Sequence, residues 1–358
     1  MMEQSNDTAL TNTYSGHTNI GEVMWFRVLK YSLYGIMFVI SLPGNLMVCL
    51  IITRRQKMKT TTNFLILNLA ISDVFYTLFV PLDVAITESA TWPYAHFFCN
   101  LFYPMMTLFI CVSALTLMTL ALTRFWAVVF PLRRQITVLQ IKLALVVVWL
   151  FAIFEVLPYA IFLRVTDENV CVEKWSDRVK KAYTLSLFFF QFVIPLSAIT
   201  FAYTMVGIEL KNGNKRSENR SLNKTKNEES KKVIRMLVVV TVAFAVCNLP
   251  TSILWLINDF GSVKSFEDIA AFLNILDFGN AAVNPCIYLA CNEDFRREFC
   301  CYLRKMKAKL FWNSAQRFSE SAFCDEQDIE EEQYQQTINT NTDCLKGNSS
   351  YLKQESSI

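Results

Sequence analysis

Asp73 lies within one of seven apolar runs, where a lone carboxylate is costly and should have a partner or a task. Ser113, Asn280 and Asn284 fall at matching depths in two other runs. Oxygen ligands around one carboxylate suit a hard cation. The alternative is a protonated Asp73 hydrogen-bonded to the two amides. Two more acids, Glu155 and Asp277, also stand inside apolar runs. Asp277, three residues before Asn280, extends that polar core or meets a ligand, whereas Glu155 faces a neighbouring helix. The eleven cysteines form no CxxC pairs and only two histidines occur, His17 and His96, so a histidine metal or proton site is disfavoured. No nucleophile–base set is visible, and an enzyme is the least favoured class.

These residues need long membrane helices to position them. Between Cys99 and Arg124 no acid or base occurs; at 1.5 Å per residue this helix would be roughly 37 Å long, enough to cross a bilayer. The chain has 358 residues, 53% hydrophobic and 18% charged, below the charge content of soluble domains. A net charge of +3 is too small to suggest nucleic acid. Apolar runs cover about 28–53, 64–86, 99–124, 141–162, 182–208, 233–257 and 269–290. Arg54, Arg55, Lys57 and Lys59 follow the first run, whereas Thr87 to Phe98 holds no Lys or Arg. That asymmetry puts the N-terminus outside, where Asn6-Asp7-Thr8 is a glycosylation acceptor on Asn6.

The expected organisation is an all-α seven-helix membrane bundle. An outer tail covers 1–27, the bundle 28–290, an amphipathic basic helix on the inner leaflet 291–309, and a disordered cytoplasmic tail 310–358. Lys211 to Lys232 reads as a flexible inner loop and Arg164 to Lys181 as an outer loop. Cys300 and Cys301 are candidate palmitoylation points. No internal repeat or polar stripe favours a transporter or channel.

One mark stands in each run. They are Gly44-Asn45, Leu69-Ala70-Ile71-Ser72-Asp73, Cys99 with Thr123-Arg124-Phe125, Trp149, Pro195 with Tyr203, Phe244 with Cys247-Asn248-Leu249-Pro250, and Asn284-Pro285-Cys286-Ile287-Tyr288. The ordered set resembles the rhodopsin-like (class A) G-protein-coupled receptors over residues 28–303. That resemblance implies a sodium ion at Asp73, Ser113, Asn280 and Asn284, with no other cofactor. It also implies that Arg124, Tyr203 and Tyr288 rearrange to admit a heterotrimeric G protein, and that a receptor kinase and arrestin act on the tail. Cys99 and Cys171 both face the oxidising side and are expected to be disulfide-bonded, draping the outer loop over the pocket mouth. Two positions depart from the pattern. Thr123 replaces an acid that would restrain Arg124, and Asn248 replaces a tryptophan, which points to altered basal activity or a different trigger.

Met106 stands where receptors for biogenic amines need an acid, which disfavours an amine ligand. No lysine occurs from Phe266 to Ala290, which excludes an opsin. Acids and aromatics instead crowd the mouth: Asp83, Glu88, Tyr103, Tyr159, Trp255, Asp259, Glu267 and Asp268. An acid at Asp259, with Lys231-Lys232-Val233-Ile234-Arg235, resembles neuropeptide receptors. The expected ligand is a short peptide, amidated or not, with a basic residue for Asp259. Tyr103, Met106, Thr107, Tyr159, Trp255, Asp259 and Asn274 are its expected contacts. Alternatives are a receptor for a lipid or small metabolite, and a constitutively active or atypical receptor.

Overall fold

In the computed structural model, residues 20–89, 92–216, 221–261 and 263–311 are described. Asn6 and the tail beyond Phe311 lie outside them. Helix α1 spans Ile20–Arg54 and leads through a short 3-10 turn, Gln56–Met58, to α2, Thr61–Ser89. Helices α3, His96–Val129, and α4, Val138–Phe162, follow. An antiparallel hairpin of β1, Leu163–Val165, and β2, Cys171–Glu173, leads to α5, Asp177–Phe188. A π-helical turn, Phe189–Val193, joins α5 to α6, Ile194–Arg216. Helices α7, Ser221–Phe260, α8, Phe266–Cys291, and α9, Glu293–Phe311, follow.

Among the described residues, six stretches are long and apolar enough to cross a membrane: Arg27–Arg54, Thr61–Ile86, His96–Val129, Val138–Phe162, Asp177–Asn212 and Ser230–Phe260. Helix α8 has the length but not the hydropathy. It carries Asn274, Asp277, Asn280 and Asn284, and turns the last three into the bundle, where they are buried.

Helix α3 is the central post, packed against α2, α4 and α6. Its buried positions recur along its whole length, from Cys99 through Leu108, Val112, Leu117 and Ala121. With no hydrophobic drive between helices inside lipid, close packing and interhelical hydrogen bonds hold the bundle. Gly44 lets α1 meet α8: a Cβ there would lie 2.8 Å from Cγ of Pro285. Beside it, Asn45 Nδ2 donates to the Ala281 carbonyl at 2.9 Å and to the Ser41 carbonyl at 3.0 Å. Asn68 ties three helices, donating to Thr116 Oγ1 at 2.9 Å and accepting from Trp149 Nε1 at 2.9 Å.

Three boundaries differ from the sequence-based expectation. Helix α1 begins at Ile20 rather than Val28, α5 begins inside the expected outer loop, and helix occupies most of the expected inner loop, through Arg216 and again from Ser221. Apolar runs mark where the bilayer is, not where helix ends. Lys, Arg and Glu are good helix formers and carry the coil on into water.

The unit from Glu293 onward holds α9, with Glu293 and Asp294 in its first turn and an Arg297–Asp294 contact at 3.2 Å. Cys300 is a free, exposed thiol, whereas Cys301 is disulfide-bonded.

Candidate functional site

A cavity opens between α2, α3, α4, α5, α7 and α8 beneath the hairpin. Tyr103, Met106 and Thr107 enter it from α3, Tyr159 from α4, Trp255 and Asp259 from α7, and Asn274 from α8. All seven expected contact residues thus share one cavity. Asp83 lines it too. Glu88 does not: it accepts a hydrogen bond from Tyr31 and lies 4.0 Å from Arg27. The side chains of Glu267 and Asp268 lie outside the described residues.

The hairpin forms part of the roof. Cys99 and Cys171 are disulfide-bonded with Cα atoms 5.7 Å apart, fixing β2 to the outer end of α3. Asn169, at φ 59°, makes the left-handed turn that asparagine tolerates. It is tied to the α2–α3 loop, donating to the Trp92 carbonyl at 3.0 Å and accepting from Trp92 N at 2.6 Å. Past β2, the Trp175 ring lies parallel to Tyr159 at 6.1 Å and packs on Tyr183 at 4.9 Å.

Lys180, from the first turn of α5, was not among the expected site residues. Its Nζ lies 3.4 Å from Glu173 and 3.2 Å from Asp259. Thr184 donates to Asp259 Oδ2 at 2.5 Å, and the Asp259 side chain is only 2% exposed. The acid expected to receive a ligand arginine already holds an internal cation. Glu173, Trp175, Lys180, Tyr183 and Thr184 were missed because the disulfide and the helix start place them, and neither carries an apolar period. The mixed charge of 164–181 was the one available signal.

Deeper in the bundle, Asp73 accepts from Asn284 Nδ2 at 2.8 Å. Ser113 reaches the neighbouring Ser72 hydroxyl at 3.5 Å. The side-chain oxygens of Asn280 and Asn284 are buried with no partner among the described residues. This donor set of carboxylate, amide oxygens and hydroxyl fits a hard monovalent cation. Glu155 is committed elsewhere, accepting from the Cys111 thiol at 2.6 Å, and it does not line the cavity.

At the other end of α3, Arg124 Nη2 donates to the Thr62 hydroxyl on α2, and Tyr203 stands beside the guanidinium. Thr123 bonds back to the Thr119 carbonyl at 2.7 Å and does not replace the missing acid. Tyr288 is fully buried in α8, with Asp73 as its ionisable neighbour.

A bundle of long apolar helices around a roofed cavity, with an arginine at the far end of its central helix, defines a membrane receptor. Residues 44–288 match the seven-transmembrane receptors of the rhodopsin family, and the chain belongs to that family. It is a multi-pass membrane receptor and not an enzyme. The RYamide receptor of Tribolium castaneum is 30% identical over 343 residues, 89% of this chain and 91% of that protein. Neuropeptide FF receptor 2 of Mus musculus is 31% identical over 294 residues, 75% and 70% of the two chains. Neuropeptide receptor 22 of Caenorhabditis elegans is 28% identical over 307 residues, 78% and 70%.

Proposed function

We propose that this receptor binds a short peptide carrying a basic residue at its outer cavity and in response activates a heterotrimeric G protein. The observation that carries the reading is the charge of the cavity wall: Asp83, Glu173, Asp259 and Asp277 face it against Lys180 alone. Such a wall, lined with tyrosine and tryptophan, suits cations and aromatic side chains. The relatives named as RYamide and neuropeptide FF receptors support the same ligand class. The test is G-protein activation in cells expressing the chain, challenged with amidated peptides ending in Arg-Tyr. A saturable response absent from untransfected cells is expected. Activation by lipids or small metabolites alone would overturn the reading.

The N-terminus faces outward and α9 lies on the inner leaflet. The basic residues after α1 and the disulfide at the opposite end of the bundle support this orientation. Arg296, Arg297, Arg304 and Lys307 on α9 suit anionic lipid. A receptor kinase and arrestin act on the serines and threonines of the tail.

Sodium, held by Asp73, Ser113, Asn280 and Asn284, stabilises the packing of α8 on α2 and α3 in the resting arrangement. Two amide oxygens without a protein partner beside one carboxylate support the assignment. Raising sodium at constant ionic strength should weaken peptide affinity several-fold in the wild type and leave Asp73→Asn unchanged, within the usual range of allosteric coupling. Equal sodium dependence in both would leave the hydrogen-bonded, protonated Asp73 as the account of this cluster.

A further inference from the structure

Asp277 is the acid in the cavity wall that the protein leaves without a cation among the described residues. Lys180 answers Glu173 and Asp259 at the mouth, and Lys30 is the electrostatic partner of Asp83. Asp277 is 8% exposed, and its Oδ1 has no partner among the described residues. Thr251 of α7 lies beside it. Three residues before Thr251 stands Asn248, 2% exposed, in the position where the family pattern carries a tryptophan. Its Nδ2 donates to the Phe244 carbonyl at 2.9 Å, which leaves Oδ1 without a partner. Both residues line the cavity.

Two nearly buried acceptors, one of them a carboxylate, thus enter the same space from two helices that pack side by side. A buried polar group without a partner is costly, and a charged one more so. A ligand group with a positive charge and several N–H bonds would satisfy both oxygens at once. A purely apolar group would satisfy neither.

We propose that Asp277 and Asn248 form a seat at the inner end of the cavity for a cationic, N–H-rich group of the ligand, a guanidinium or an ammonium. The inference rests on the peptide reading and deepens it: the basic residue is anchored here and not on Asp259, whose charge Lys180 already holds. The seat also bears on the trigger. Asn248 is one turn from Phe244, whose ring stacks on Phe192 of the π-helical turn at 5.9 Å. A cation bridging Asn248 and Asp277 therefore pulls directly on the α7 segment that packs against the α5–α6 rod.

The test uses the full chain in membranes and three fluorescent probes. These are a peptide ending in Arg-Tyr-amide, its citrulline analogue, and its N-acetylated analogue. Asp277→Asn should weaken the arginine peptide by about 30-fold or more, the scale for losing one partner of a buried charge pair. The citrulline analogue should bind the wild type weakly and be almost insensitive to the substitution. If N-acetylation abolishes the sensitivity instead, the seated cation is the terminal ammonium. Asn248→Asp, which adds a second acid, should strengthen binding of the cationic probes alone, a gain that misfolding cannot produce. Equal losses for every probe on Asp277→Asn, or a citrulline dependence that follows Asp259→Asn, would overturn the seat and leave the peptide reading standing. No saturable binding of any probe to the wild type would remove the peptide reading and the seat with it.

Discussion

Receptors carrying Cys171→Ser should reach the membrane yet respond to peptide only at concentrations 100-fold or more above the wild type. The disulfide closes a loop with a sequence separation of 72. For a free chain that cross-link would contribute about 4 kcal/mol, and lipid-restrained helices make this an upper bound. The seven helices do not need the bond to stay in the bilayer. Its loss instead frees the hairpin that carries Glu173 and leads to Trp175, and with them one of the two carboxylates that position Lys180. Cys99→Ser and the double variant should lose the same amount as Cys171→Ser, because each removes one bond. Losses that add in the double variant, measured against surface expression, would show that the two sulfurs act separately.

Thr62→Ala should raise agonist-independent signalling about tenfold. Most of the family pattern surrounds Arg124, but the neighbouring acid does not, and Thr123 is turned back on its own helix. Among the described residues, the hydrogen bond that restrains Arg124 runs to Thr62 and joins α3 to α2. A hydrogen bond to a charged group contributes about 1.5–3 kcal/mol, and 1.4 kcal/mol already moves a two-state equilibrium tenfold. Basal G-protein activation, normalised to receptor number, reads the effect directly. Thr62→Ser should restore the wild-type level because it keeps the hydroxyl. Unchanged or reduced basal activity in Thr62→Ala would show that this contact does not hold the resting arrangement.

The membrane spans were legible because a bilayer imposes length and apolarity on the sequence itself. Helix ends were less so. The coil of α6 and α7 continues through Lys211, Asn212, Ser230 and Lys231, residues that hydropathy assigns to water and that are nonetheless helical. The inner wall of the cavity could be read from position along α3, α4, α7 and α8, since helical periodicity fixes which residues face inward. Its outer wall could not. Glu173, Trp175 and Lys180 reach the cavity because the disulfide bends the chain back over it, a constraint that no local period records. The same gap explains Asp259. As a residue in a sequence it is a lone acid at a helix end, whereas in three dimensions it is held by Lys180 and Thr184.

Peptide binding outside and transducer binding inside bias the same packing of helices. Such coupling is reciprocal. The most direct measurement is the affinity of an Arg-Tyr-amide peptide for the receptor in nanodiscs, with and without nucleotide-free heterotrimeric G protein. The expected affinity is about five- to a hundredfold higher with the G protein, reversed by a non-hydrolysable GTP analogue, within the usual range of allosteric coupling. Saturable binding whose affinity is the same in all three conditions would contradict it.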